Sequence, residues 1–229
     1  MSKNTVLVIA AHPDDEILGC GATMAVHNRS GDKVYSLILS QGIKSRIKDF
    51  KNSTKIKNLQ KSLAKANKTV GVKKFFTEDF PDNAFDTVPL LQIAQKIEKI
   101  VQITKPNIIY THHHSDLNLD HGITNRASII ATRPFPKSKI NKILTYEVNS
   151  STECSNINSN GNFHPNYFVY FNNSILRKKI KALNYYGSEM RPWPHPRSIK
   201  AIEVLAKRRG STVGLSMAES FCLFRYIQK

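Results

Sequence analysis

Hydrophobic positions along the chain alternate between short continuous runs and longer stretches with a three- and four-residue period. Thr5 to Ala10 (TVLVIA) and Lys33 to Ser40 (KVYSLILS) are unbroken β-branched and aliphatic runs. Such runs predict strands buried on both faces of a parallel sheet. Between them Ile17 to Ser30 reads as a helix closed by Gly31, which makes a βαβ unit. Ile56, Leu59, Leu63, Ala66 and Val70 mark a second helix stopping at Gly71, ahead of a short strand from Val72 to Thr77. Leu90 to Thr104 is again helical, and Pro106 keeps it from running into the strand Asn107 to Thr111 (NIIYT). Further on, Tyr167 to Phe171 reads as a strand, Ile175 to Tyr186 and Ser198 to Arg209 as helices, and Ser220 to Ile227 as an apolar ending. This alternation predicts the α/β class: an open, mostly parallel sheet with helices on both faces. No internal repeat is visible, and the Asn- and Ser-rich stretch from Ser150 to Asn162 reads as a loop within one domain spanning residues 1–229.

Composition narrows this picture. Hydrophobic residues make up 40% of 229, enough for a packed core and too many for a disordered basic tail. Cys20, Cys154 and Cys222 are odd in number, widely spaced and without a CxxC, which excludes a disulfide framework and a thiolate cluster and predicts a reducing, cytoplasmic setting. The first apolar run meets carboxylates by residue 16, too soon for a signal peptide, and no stretch approaches the ~18 to 20 apolar residues of a membrane span.

Two segments carry candidate chemistry. AHPDDE, Ala11 to Glu16, follows the first buried strand, where the carboxyl end of a parallel strand opens onto the ligand crevice of a doubly wound sheet. An imidazole and carboxylates there are costly to desolvate unless paired or bound to a cation. His12 and Asp15, three apart around Pro13, are placed to converge on one ion, and the alternative is that Asp14 or Asp15 simply caps the following helix. The second segment, Thr111 to His121 (THHHSDLNLDH), follows a later strand and holds four of the eight histidines. With no cysteine in either loop, the donors suit a catalytic zinc site of three His or carboxylate ligands and one open position, the alternative being that His112 to His114 are ordinary strand-end residues. Gly19-Cys20-Gly21 lacks the third glycine and the distal acid of a dinucleotide fingerprint, and reads as close helix packing.

AHPDDE after the first strand, with Asp120-His121 after a later one, resembles the LmbE-like or PIG-L-like family of zinc-dependent N-deacetylases, which act on N-acetylglucosamine-type sugars. Tyr186 to Leu215 is similar to the carboxyl-terminal part of its sugar-modifying members, so the likeness covers most of the chain. It implies a Rossmann-like (LmbE-like) fold and one Zn2+ per chain held by His12, Asp15 and His121, although iron or cobalt would also suit these donors. It also implies Asp14 as general base and Asp120 as the acid that orients a neighbouring histidine. Many relatives read His-Pro-Asp-His, whose first histidine helps stabilise the tetrahedral intermediate, whereas this chain has Asn118-Leu119-Asp120-His121. The oxyanion and proton-donor roles are therefore expected from His195, His114 or Asn118, with His195 preferred, and Asp116, Arg197 and His114 are expected to bind substrate. The activity implied is removal of an acetyl group from an N-acetylglucosamine-type amino sugar in a glycan or glycoconjugate pathway. Its alternatives are another acylated amine in thiol or antibiotic metabolism, or a basic nucleic-acid or membrane-surface binding protein with a structural metal.

Charge adds a last expectation. Lys and Arg number 34 against 17 Asp and Glu, a formal net charge of +17, and Lys44 to Lys74 holds eleven basic residues against the single Asp49. Such a face would steer an anionic, nucleotide- or lipid-linked sugar, or touch an anionic membrane surface, or be merely a solvated helix face. No zinc finger, helix-turn-helix or stacking-aromatic pattern supports nucleic acid as a partner.

Overall fold

The computed structural model describes residues 3–41, 53–136, 138–155 and 161–228. Strands β1 (Thr5–Ala10) and β2 (Lys33–Ser40) flank helix α1 (Asp15–Arg29), and α2 (Ser53–Val70) leads into β3 (Lys74–Phe80). Then follow α3 (Leu90–Thr104), β4 (Ile108–His112), α4 (Leu119–Ala131), β5 (Lys142–Tyr146), β6 (Tyr167–Tyr170), α5 (Asn173–Asn184), α6 (Ile199–Ser211) and β7 (Ala218–Tyr226). The sheet runs β3-β2-β1-β4-β5-β7-β6. Pairings from β3 to β5 are parallel, while β7 is antiparallel to β5 and β6 antiparallel to β7. The α/β, mostly parallel expectation therefore holds.

The continuous hydrophobicity of β1 follows from its place. Val6, Val8 and Ala10 join a cluster with residues of α1, α2 and α5, and Leu7, Ile9 and Ala11 join a second with residues of α3 and α4. Helices thus cover both faces, and strand order reverses at β1, whose neighbours are β2 and β4. In an open α/β sheet the crevice beyond the carboxyl ends of the strands at such a reversal is where ligands bind. The loops after β1 and β4 are the two segments singled out by their chemistry.

Differences from the sequence reading have local causes. Helix α1 starts at Asp15 rather than Ile17, and β3 spans 74–80 rather than 72–77 because Val72 and Lys73 still belong to the turn after α2. Helix α4 and strand β5 carried no clear signal. The buried side of α4 is largely polar or small (Asp120, His121, Thr124, Asn125, Ser128), which flattens the hydrophobic period. The close-packing reading of Gly19 is borne out, since a Cβ there would overlap the ring of Tyr146. Lys44, Arg46, Lys48 and Lys51 lie outside the described residues, as do 156–160 of the expected loop; Lys57, Lys61, Lys65, Lys68, Lys73 and Lys74 are exposed. No helix among the described residues is long and apolar enough to cross a membrane.

Candidate metal centre and active site

The loop from β1 to α1 is shaped by its own carboxylates. Asp14 occupies the N-cap position with φ 104° and ψ −32°, and its side chain makes no capping hydrogen bond. Its carbonyl accepts the N–H groups of Ile17 and Leu18, which starts the helix. Asp15 turns back instead, its Oδ2 accepting the His12 N–H at 2.9 Å. Capping therefore does not account for either acid. Glu16 also folds back, its Oε2 accepting the Asp14 N–H at 3.0 Å and its Oε1 accepting Asn67 Nδ2 at 3.0 Å and Tyr186 Oη at 2.8 Å. Burial pushes Glu16 up to about 7, against the hydrogen bonds that favour its charged form.

Across the crevice, Asn118 caps α4 by accepting the Asp120 N–H on Oδ1 at 2.9 Å. That places Asp120 and His121 in the first turn, facing the β1 loop. His12 Nδ1 lies 3.3 Å and His121 Nε2 3.2 Å from the same oxygen, Asp15 Oδ2. The opposite nitrogen of each ring meets another carboxylate: His12 Nε2 is 2.9 Å from Asp120 Oδ2 and 3.3 Å from Asp82 Oδ1, and His121 Nδ1 is 3.1 Å from Asp116 Oδ1. A carboxylate behind each imidazole fixes its tautomer and aims the other nitrogen, as metal-binding histidines require.

The donor set fits a divalent cation. His12, Asp15 and His121 each offer a ligand atom, all within 4.8 Å of one another. Asp15 Oδ1 and His121 Nε2, the atoms on the side of the proposed ion, are buried without a hydrogen-bond partner among the described residues, a costly arrangement that a cation relieves. Two other groupings, His112 with Asp116 and His121, and His12 with Asp82 and Asp120, also bring three donors together. They would use the ring nitrogens already turned toward carboxylates, and His112 Nε2 accepts the Ala11 N–H at 2.9 Å. Charge agrees with this choice. Burial opposes protonation of His12 and His121, yet the carboxylates around them outweigh it and raise them to about 10 and about 9. Burial would raise Asp15, but His121 and His12 hold it well below the carboxylate range. The cluster is built to hold positive charge.

A cavity lined in part by His12, Asp14, Asp82, Asn118, Glu189 and Arg197 opens on this centre. Arg197 Nη1 donates to Asp14 Oδ2 at 2.8 Å, and its Nε donates to Ser150 Oγ at 2.8 Å. Burial drives Asp14 up to about 8 in spite of the guanidinium, which pulls the other way.

Of the residues singled out in the sequence, His12, Asp14, Asp15, Asn118, His121 and Arg197 line the cavity. Asp120 lies behind His12. Asp116, expected at substrate, is instead occupied behind His121, where it also accepts hydrogen bonds from the hydroxyls of Ser151 and Thr152 and from the Asn118 N–H. His195 and His114 are exposed and outside the cavity lining. His195 Nδ1 accepts the Arg197 N–H at 3.0 Å, so its ring shapes the loop that carries Arg197. His112 is fully buried and stacks on His121 with centroids 3.9 Å apart, and burial holds it well below the usual histidine value. Asp82, Glu16 and Glu189 were missed: Asp82 and Glu189 sit in segments without period, and the role of Glu16 depends on partners distant in sequence.

Residues 7–132, a span that includes both loops, match the family model described as PIG-L, GlcNAc-PI de-N-acetylase. The "uncharacterized deacetylase YaiS" of Escherichia coli is 28% identical over 200 residues, 81% of this chain and 92% of that protein. A "probable N-acetyl-alpha-D-glucosaminyl L-malate deacetylase 2" of Bacillus cereus is 29% identical over 139 residues, 58% of this chain and 63% of that one. Among solved structures, the N,N'-diacetylchitobiose deacetylase of Pyrococcus horikoshii superposes with a TM-score of 0.76 at 18% identity, over 96% of this chain and 83% of that one, a likeness of fold. With a family model covering more than half of its length and both site loops, the chain belongs to the PIG-L family.

Proposed function

We propose that this chain is a single-domain, metal-dependent N-deacetylase that hydrolyses the acetamide of an N-acetylglucosamine-type amino sugar. The observation that carries the reading is the pair of imidazoles aimed at Asp15, each backed by a second carboxylate, beside the buried Asp14. Its family and the names of two of its relatives support the reaction class. The carboxylates, amides and hydroxyls of the cavity lining supply hydrogen-bond partners for a hydroxyl-rich sugar.

His12, Asp15 and His121 would hold the cation on one side, leaving the cavity side open. Bound zinc supplies Lewis acidity, which makes water a nucleophile near neutral pH and polarises an amide carbonyl. Asp14 takes the proton of the attacking water and returns it to the departing amine. Arg197 Nη1, donating to Asp14 Oδ2 at 2.8 Å, fixes the carboxylate in place. Asn118, which lines the cavity and whose Nδ2 donates to Asn83 Oδ1 at 3.2 Å, stands where many relatives carry the first histidine of His-Pro-Asp-His and would take the oxyanion-donor role; one such donor contributes about 3 kcal/mol. Asp120 and Asp116 act through the rings of His12 and His121.

Zinc-loaded protein incubated with N-acetylglucosamine derivatives tests the reading through stoichiometric release of acetate and free amine. Metal bound at one ion per chain with neither product formed from any acylated amino sugar would refute it.

A further inference from the structure

Resting on that reading, we propose that Glu16 is a positioning residue that sets the backbone of Asp14 and so aims the general base, through a buried brace tied to helix α2 and to the turn after α5. Asp14 holds φ at 104°, a conformation side-chain-bearing residues rarely adopt and one that persists only where the surroundings enforce it. Its carboxylate meets Arg197, but its backbone N–H meets Glu16 Oε2. Glu16 is fully buried, and its other oxygen is held from two sides, by Asn67 on α2 and by Tyr186 just after α5. The amide of Asn67 is itself fixed, its Oδ1 accepting Ser36 Oγ of β2 at 2.7 Å and its Nδ2 also donating to the Leu63 carbonyl at 3.0 Å. Every link is buried, and none of Glu16, Asn67, Tyr186 or Ser36 lines the cavity. A buried carboxylate gathering three donors from separate parts of the chain is costly unless each bond is made, so its position is strongly determined. What it determines is the peptide that presents Asp14.

The brace predicts an effect on turnover that is separable from metal and substrate binding. Tyr186→Phe removes one hydrogen bond to Glu16 and touches nothing in the cavity; Glu16→Gln cannot keep acceptors on both oxygens. We expect kcat to fall about tenfold in Tyr186→Phe and about a hundredfold in Glu16→Gln, with KM within about twofold of the parent, as for a reacting group displaced by a fraction of an ångström to an ångström. Both variants should retain one metal ion per chain, and a crystal structure of Glu16→Gln should show Asp14 shifted from its left-handed conformation. Unchanged kcat in both variants, or loss that follows metal content or KM instead, would overturn the brace. If Glu16→Gln fails to fold, Tyr186→Phe and Asn67→Ala, read by kcat, KM and metal content together, decide the matter. Parent protein that binds metal but releases no amine would refute the proposed function itself, so the two failures are told apart.

Discussion

The cavity and the exposed side of α2 have opposite charge and handle it in opposite ways. The chain as a whole carries +17, yet the cavity and the residues behind it gather Asp14, Asp15, Asp82, Asp116, Asp120 and Glu189 around two histidines and Arg197. There each charge is buried or nearly so and has a partner at a defined distance. On α2, Lys57, Lys61, Lys65 and Lys68 project into solvent, where interactions beyond the ~8 to 10 Å screening length fade at physiological salt. Overall charge therefore describes the outer surface and says nothing of the chemistry, which depends on where a carboxylate sits and what it faces.

Removing a ligand should break this contrast most severely. His121→Ala is expected to lose the metal and reduce turnover to background, read by elemental analysis and acetate release. Asp14→Asn keeps the shape of the site, so metal should stay at one ion per chain while kcat falls by roughly 10² to 10⁴, the range of one acid–base group; full activity would remove Asp14 from the mechanism. Asp116→Asn should be milder, because it alters only the partner of His121: a loss of about 10- to 100-fold in metal affinity, measured by competition with a chelator. Retained affinity would place Asp116 at the substrate, as the sequence reading had it. The smallest effect belongs to α2. Replacing Lys57, Lys61, Lys65 and Lys68 together by Gln should leave kcat on a neutral N-acetyl sugar within about twofold, and any change should fall on kcat/KM for a phosphorylated sugar and vanish at high salt. A large loss of kcat on the neutral sugar would tie this face to the chemistry.

The same contrast explains what the sequence discloses. Strands β1 and β2 and helix α3 are plain in it, because burial on both faces or along one stripe imposes a pattern of apolar residues. Helix α4 is obscured for the reason that makes it useful: its buried side carries Asp120, His121, Thr124 and Asn125, so site chemistry replaces hydrophobic period. His12 and Asp15 stand out by spacing within one loop. Asp120 is expected behind a histidine only through the family likeness, and Asp116 and Asp82 do not show as partners at all, since which ring nitrogen faces which carboxylate depends on side-chain directions set by segments far apart in sequence. His195, preferred in the sequence as an oxyanion or proton donor, is exposed and outside the cavity lining, and its Nδ1 accepts the Arg197 N–H, a contact that only the folded loop discloses.

The central claim is that a single cation sits between His12, Asp15 and His121 with its remaining side open to the cavity. A crystal of the zinc-loaded protein, with data collected across the zinc edge, tests it most directly. The account predicts one anomalous peak within about 2.0 to 2.2 Å of His12 Nδ1, a carboxylate oxygen of Asp15 and His121 Nε2. A peak seated instead between Asp82 and Asp120, or a fourth protein ligand closing the cavity side, would contradict it.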